Sequence, residues 1–237
     1  MCGRAKLTVS AEDLQQTFGA LPPVGYRPRY NIAPTQDQLA LIQTSQGTQF
    51  KLIRWGLVPF WADDLKLGNK MVLARAETVA TTAAFRHAFA QRRCLVVIDG
   101  FYEWQRVTGG KRPHLIHRTS GEPFTLAGVW ERWGPPESSL ETCAIITAPA
   151  TDAMQPIHDR MPVIVAEEDR AAWLGRETPE EVLKELLRPS PVPDLEAYEV
   201  SRFVNDPAND TEECIAPIGE VPDPLSPWPE EQASLFS

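Results

Sequence analysis

Apolar and polar residues alternate over residues 38–43 and 49–54, which predicts two strands joined around Gly47. Further short strands are predicted at Cys94–Ile98, Phe101–Val107, 114–118, 124–130, 142–147, 161–165 and 197–204. Helical spacing is confined to a few places. Ser10 to Asp13 reads as a capping box opening a short helix through Phe18, and residues 82–91 set Phe85 and Phe89 on one face. Ala166–Leu174 and Pro179–Leu187 form two acidic amphipathic helices, the second with Thr178 as cap and Pro179 in its first turn. Proline, glycine and arginine over residues 21–30 predict an irregular loop, and Trp55–Trp61 is apolar but broken by Gly56 and Pro59. Many short strands with interspersed helices imply an α+β fold, a single domain with a curled, mostly antiparallel sheet and peripheral helices. From Val221 onward Pro, Glu, Asp and Ser leave little to bury, so the domain is expected over residues 2–220 and a disordered tail over 221–237.

Composition narrows the class. The 237 residues are 43% hydrophobic, enough for a substantial core. No run approaches the ~18 apolar residues of a membrane span, and the start lacks the apolar region of a signal peptide. Cys2, Cys94, Cys143 and Cys214 are far apart, with no CxxC pair, which predicts a reduced cytoplasmic chain without a disulfide framework or a zinc site. His114 and His117, at i and i+3 of a strand, point to opposite faces, and no metal or other cofactor is expected. The net charge of −9 conceals an asymmetry. Residues 1–166 carry 18 Lys+Arg against 14 Asp+Glu, and residues 167–237 carry 5 against 18. A mildly basic front therefore permits a polyanionic ligand that whole-chain charge would argue against. Nothing suggests an obligate assembly, so a monomer is expected.

The chemistry centres on the first residues, Met1-Cys2-Gly3-Arg4. Removal of an initiator Met before a small residue would leave Cys2 with an α-amine two carbons from its thiol, with unperturbed pKa values near ~8 and ~8.5. Such an aminothiol condenses with an aldehyde to a Schiff base, which the thiol closes to a five-membered thiazolidine. Phe101-Tyr102-Glu103-Trp104 sets a carboxylate among aromatics. Desolvation there would suit Glu103 to proton transfer, whereas a solvent-facing strand position would not. His158, beside Asp159 and Arg160, reads equally as an acid/base or a capping group. Arg75, with Arg4 and Arg86, supplies candidate phosphate contacts. Pro59-Phe60-Trp61 offers aromatic surface for bases, against the alternative of a core role.

Six motifs then occur in one order: Cys2-Gly-Arg4, Tyr30-Asn-Ile-Ala-Pro-Thr35, Arg54-Trp-Gly-Leu-Val-Pro59, Ala74-Arg-Ala-Glu-Thr78, Gly100-Phe-Tyr-Glu-Trp104 and His158-Asp-Arg-Met-Pro162. Together they resemble the SOS-response-associated peptidase (SRAP) family, whose members crosslink to abasic sites in single-stranded DNA. The resemblance runs from Cys2 to about Ile218. It implies Cys2 as nucleophile, Glu103 as the acidic catalytic residue and His158 as a second proton donor. It further implies Arg4, Arg75 and Arg160 near the DNA backbone, and Phe60 and Trp61, with Pro34 near them, as an aromatic wedge. One position departs from the family pattern: an active-site Asn is expected where Leu73 stands, and Leu can make no hydrogen bond. Asn31 or Asn69 are candidates to compensate. The segment Gln232-Ala-Ser-Leu235-Phe236 resembles a peptide that docks on the replication sliding clamp. Two further readings stay open: an N-terminal-nucleophile peptidase, and a single-strand-binding module without the chemistry.

Overall fold

The computed structural model describes residues 3–189 and 194–219. Cys2 lies just outside them, as do the tail and its Gln232, Leu235 and Phe236. In chain order the strands are β1 (Ala5–Leu7), β2 (Arg29–Ile32), β3 (Asp37–Thr44), β4 (Gly47–Trp55), β5 (Leu73–Arg75), β6 (Arg93–Ile98) and β7 (Gly100–Val107). These are followed by β8 (Gly110–Arg118), β9 (Phe124–Trp133), β10 (Leu140–Pro149), β11 (Arg160–Pro162), β12 (Ile164–Val165) and β13 (Leu195–Glu199). The helices are α1 (Ala11–Phe18), α2 (Arg86–Gln91), α3 (Arg170–Leu174) and α4 (Glu180–Leu186).

The expected curl is complete enough to close. Strand β10 pairs with β4 on one side and β9 on the other, while β4–β3, β3–β6 and β6–β9 pair in turn, so five strands form a ring. Closure removes the free edges that an open sheet would leave unpaired. Among the described residues only the β10–β4 and β10–β5 pairings are parallel. Both faces of these strands are buried, with Leu39, Leu41, Leu95 and Val97 on one and Ile53, Leu126 and Ile145 on the other, and together they make the main core. The second half of β10 leaves the ring to pair with β5 and β11.

A second sheet, in the order β13-β8-β7-β1-β2, lies beside the barrel. Its β2 falls partly within the expected loop at 21–30, because pairing with β1 supplies the order that local sequence does not. The expected strand at 161–165 is two short strands that join different partners, and the one at 197–204 ends at Glu199 before a 3₁₀ turn. The expected helix at 82–91 begins only at Arg86, although Phe85 and Phe89 are both buried as its spacing predicts. Only Arg170–Leu174 of the 166–174 segment is α-helical. Thr178 does not cap α4: its hydroxyl donates to Ala172 O, and Pro179 occupies the cap. The capping box at Ser10 and Asp13 forms as expected.

Three-residue β1 is an interior strand, and its side chains anchor it. Ala5 and Leu7 are buried in the core. Lys6 Nζ lies 3.0 Å from Asp99 Oδ1 in a pair that is almost wholly buried. The other Asp99 oxygen accepts from the Thr8 backbone N–H at 2.8 Å and hydroxyl at 2.6 Å, which fixes the exit of the strand. Removing one member of a buried pair strands the other charge. The variant Asp99→Ala is therefore expected to lose about 3–5 kcal/mol in urea unfolding. A loss below about 1 kcal/mol would show that the pair does not anchor β1.

Candidate active site

Antiparallel pairing sets Ala5 opposite Phe101 and Lys6 opposite Gly100, and Tyr102 N–H donates to Arg4 O at 2.9 Å. Carrying this register one step further sets Gly3 across from Glu103. On the other side of β1, the Ala5–Ile32 register carries Gly3 toward Pro34. The chain therefore enters the sheet between the Glu103 strand and the Pro34-Thr35 turn, and Cys2 is covalently the next residue. Thr35 has φ 76°, a left-handed conformation that a β-branched residue rarely adopts, and its N–H is held by Trp55 O at 2.7 Å.

Beside this entry lies a cleft of ≈ 390 Å³ lined by Arg75, Glu103, Trp104, Arg106, Lys111, His158, Asp159 and Arg160. Glu103 is 1% exposed. Burial is the main cause that pushes its carboxyl up to about 7, only partly offset by the Trp104 backbone N–H. The solvated-strand alternative for Glu103 is thereby excluded. Burial likewise lowers the pKa of His158, so the imidazole is neutral at neutral pH. Its Nδ1 accepts the Arg160 backbone N–H at 3.0 Å, which leaves the proton on Nε2. The Asp159 carboxylate, 2.8 Å from the same Nδ1, would favour the opposite tautomer. The backbone bond decides between them, because the Asp159 side chain is 83% exposed and water competes for it.

The arginines divide by what already holds them. Arg160 makes a two-pronged pair with Glu77, at 2.8 and 2.9 Å, and donates to Thr147 O, so its guanidinium joins β11 to the segment after β5. Arg4 Nη1 donates to Asn31 Oδ1 and Val204 O, both at 2.8 Å, and its guanidinium lies 5.8 Å from the Trp104 ring centre. These two hold the fold around the cleft. Arg75, on β5, is exposed at the cleft wall, and Arg86 is exposed at the start of α2. Arg106 and Lys111 were missed from sequence; their signal was the pairing of β7 with β8, which local pattern does not reveal.

Phe60 and Trp61 are 55% and 51% exposed, so the core alternative for these aromatics does not hold. Their loop is nonetheless fixed at its base. Trp133 Nε1–H donates to Ala62 O at 2.6 Å, and the Phe60 ring rests on His87 with centroids 5.0 Å apart. Gly56 and Gly68 approach so closely that a Cβ on Gly68 would stand 2.5 Å from Gly56 O.

Leu73 packs against the barrel core, half-buried, on the same face of β5 as Arg75. Neither Asn31 nor Asn69 lines the cleft. Asn31 is fully buried, accepting from Arg4 and donating to Val204, Asp206 and Asn209 carbonyls. Asn69 accepts from Arg54 at 2.9 Å. The three described cysteines, Cys94, Cys143 and Cys214, are buried with thiol pKa values raised by burial, that of Cys143 to about 12. None of them is poised as a nucleophile. Among the described residues no cluster of three His, Cys, Asp or Glu side chains could hold a metal ion.

A family model described as SOS response associated peptidase (SRAP) matches residues 1–207. The abasic site processing protein YoqW of Bacillus subtilis is 41% identical over 221 residues, covering 91% of this chain and 99% of its own. The abasic site processing protein YoaM of the same organism is 40% identical, covering 91% and 97%. A crystal structure of a protein from Bacteroides thetaiotaomicron superposes with a TM-score of 0.82 at 22% identity, over 91% of this chain and 99% of the other. That likeness concerns the fold.

The buried Glu103 carries a pH signature. Its carboxyl binds a proton more tightly in the folded protein, at about 7, than at its ordinary value of 4.5. Its contribution to stability is therefore fully present below pH 4.5 and is lost as pH rises through 7. Glu103→Gln is expected to be more stable than the wild type by roughly 3 kcal/mol at pH 8.5, with the gain vanishing below pH 4.5. Paired urea titrations at the two pH values test this, and an equal difference at both would contradict it.

Proposed function

The chain belongs to the SOS response associated peptidase (SRAP) family, and on that footing we propose that it captures abasic sites in single-stranded DNA as a covalent thiazolidine formed by Cys2. The observation that carries this reading is the register that brings the start of β1 opposite the buried Glu103, at the edge of a cleft with basic walls. The names of the two Bacillus relatives point to the same lesion.

The steps follow from the groups at hand. An abasic deoxyribose is mostly a closed hemiacetal. Protonated Glu103 donates to the ring oxygen as the C1′–O4′ bond breaks, and the C1′ hydroxyl gives its proton to water, which frees the aldehyde and leaves Glu103 ionised. The α-amine of processed Cys2 adds to C1′, and loss of water gives the Schiff base. The leaving hydroxyl takes a proton from an acid, and the nitrogen returns one to a base. A carboxyl with a pKa of about 7 is populated in both forms at neutral pH and serves both needs. The thiol then adds to the imine carbon; a C–S bond forms, the C=N electron pair moves to nitrogen, and the thiol proton follows. His158, neutral with its proton on Nε2, is a hydrogen-bond donor beside the sugar. Arg75 neutralises phosphate, while Phe60 and Trp61 offer faces for neighbouring bases. Single strands are favoured because a paired duplex resists the splaying that brings C1′ into the cleft.

Intact mass after incubation with single-stranded DNA carrying one abasic site is expected to show a covalent adduct lacking Met1. Cys2→Ala is expected to abolish it while leaving non-covalent binding. An adduct of undiminished yield from Cys2→Ala sinks the proposal. Glu103→Gln is expected to slow adduct formation by about 10²-fold and to remove an inflection near pH 7 from the rate profile. An unchanged rate and profile would assign the proton transfers to another group.

A further inference from the structure

The β7–β8 hairpin carries a charge arrangement that the catalytic reading leaves unused. Arg106 on β7 stands directly opposite Lys111 on β8. Like charges facing each other across an antiparallel pair repel. Several other cations are matched: Arg112 with Glu199, Lys51 with Glu141, Arg160 with Glu77 and Lys6 with Asp99. Arg106 and Lys111 are both exposed, and among the described residues no carboxylate lies within ion-pair distance of either. Both line the same cleft as Glu103 and His158.

The hairpin is also held in place. Gln105 Nε2–H donates to Pro156 O at 2.9 Å, which ties β7 to the loop carrying His158. Gly109 and Gly110, with φ of 89° and 155°, make the turn that returns the chain beside Arg106. Arg106 is near enough to His158 for its charge to add to burial in lowering the imidazole pKa. Asp159, the exposed carboxylate of the cleft, lies against His158 Nδ1.

We propose that Arg106 and Lys111 form a phosphate-binding subsite that holds the strand on one side of the lesion, apart from Arg75, which lines the cleft from β5. An anion between the two cations relieves their repulsion, so the arrangement stores a preference for phosphate in the hairpin itself. The proposal rests on reading the cleft as a single-stranded DNA site, and it adds a second contact that fixes the direction in which the strand leaves.

The test is fluorescence anisotropy of labelled single-stranded oligonucleotides across a salt series, with wild type, the double variant Arg106→Gln/Lys111→Gln, and Arg106→Lys. The double variant is expected to bind about tenfold more weakly and to lower the slope of log K against log salt by about 0.7, the value for one lost phosphate contact on a single strand. Arg106→Lys is expected to restore the slope. With abasic oligonucleotides extended on one side of the lesion only, the loss is expected for one direction and not the other. An unchanged slope, or an equal loss in both directions, overturns the subsite. Adduct mass is measured on the same samples. A wild type that forms no adduct while the double variant loses slope sinks the crosslinking reading and keeps the subsite. Normal adduct with an unchanged slope does the reverse.

Discussion

A strand of three residues has too few hydrogen bonds to hold its place alone, yet the rest of the site depends on β1 being interior. It is fixed by neighbours on both edges and by its own side chains. Lys6 reaches Asp99 and Arg4 reaches Asn31 and Val204. Each anchor lies far away in sequence, so the position of the chain's start is a property of the whole fold. The two arginine and lysine anchors sit immediately before and after Ala5, so that the strand cannot slide by a residue without breaking both. A slip of one would also turn Ala5 and Leu7 out of the core.

The electrostatics of the cleft follow a division of labour. Some cations are consumed in building it, namely Arg4 and Arg160, and their strength goes into joining segments. Others, Arg75, Arg106 and Lys111, keep their charge for the solvent side. Glu103 is placed where water is excluded, so its carboxyl holds a proton to about 7 despite this basic company. Solvent exclusion outweighs nearby positive charge because the cations are on the wet rim, where screening weakens them. The same division sets Arg4 and Arg160, which already hold carbonyl and carboxylate partners, apart from Arg75, which is exposed.

Much of the fold was legible where local pattern is strong. The β3–β4 hairpin, β6, β7 and the Ser10 cap follow from alternation and capping chemistry that tertiary contacts only reinforce. What local pattern lacked was pairing. β2 reads as loop because its proline- and glycine-rich approach carries no period, and it becomes a strand through β1. Closure of the barrel through β10 leaves no mark in any one segment. In the site, Glu103 and His158 were legible through their neighbours and the family resemblance, and the cleft brings them together. The roles of Arg4 and Arg160 were not, since Asn31 and Glu77 meet them only after folding. Arg106 and Lys111 lay hidden for the same reason, five residues apart in sequence and face to face in the hairpin.

The interior position of β1 also restricts how such a protein can be elaborated over evolutionary time. A new module joined ahead of Gly3 would have to continue from the gap between the Glu103 strand and the Pro34-Thr35 turn, beside the cleft. The residues that follow β13 are themselves part of that frame, since the carbonyls of Val204, Asp206 and Asn209 accept from Arg4 and Asn31.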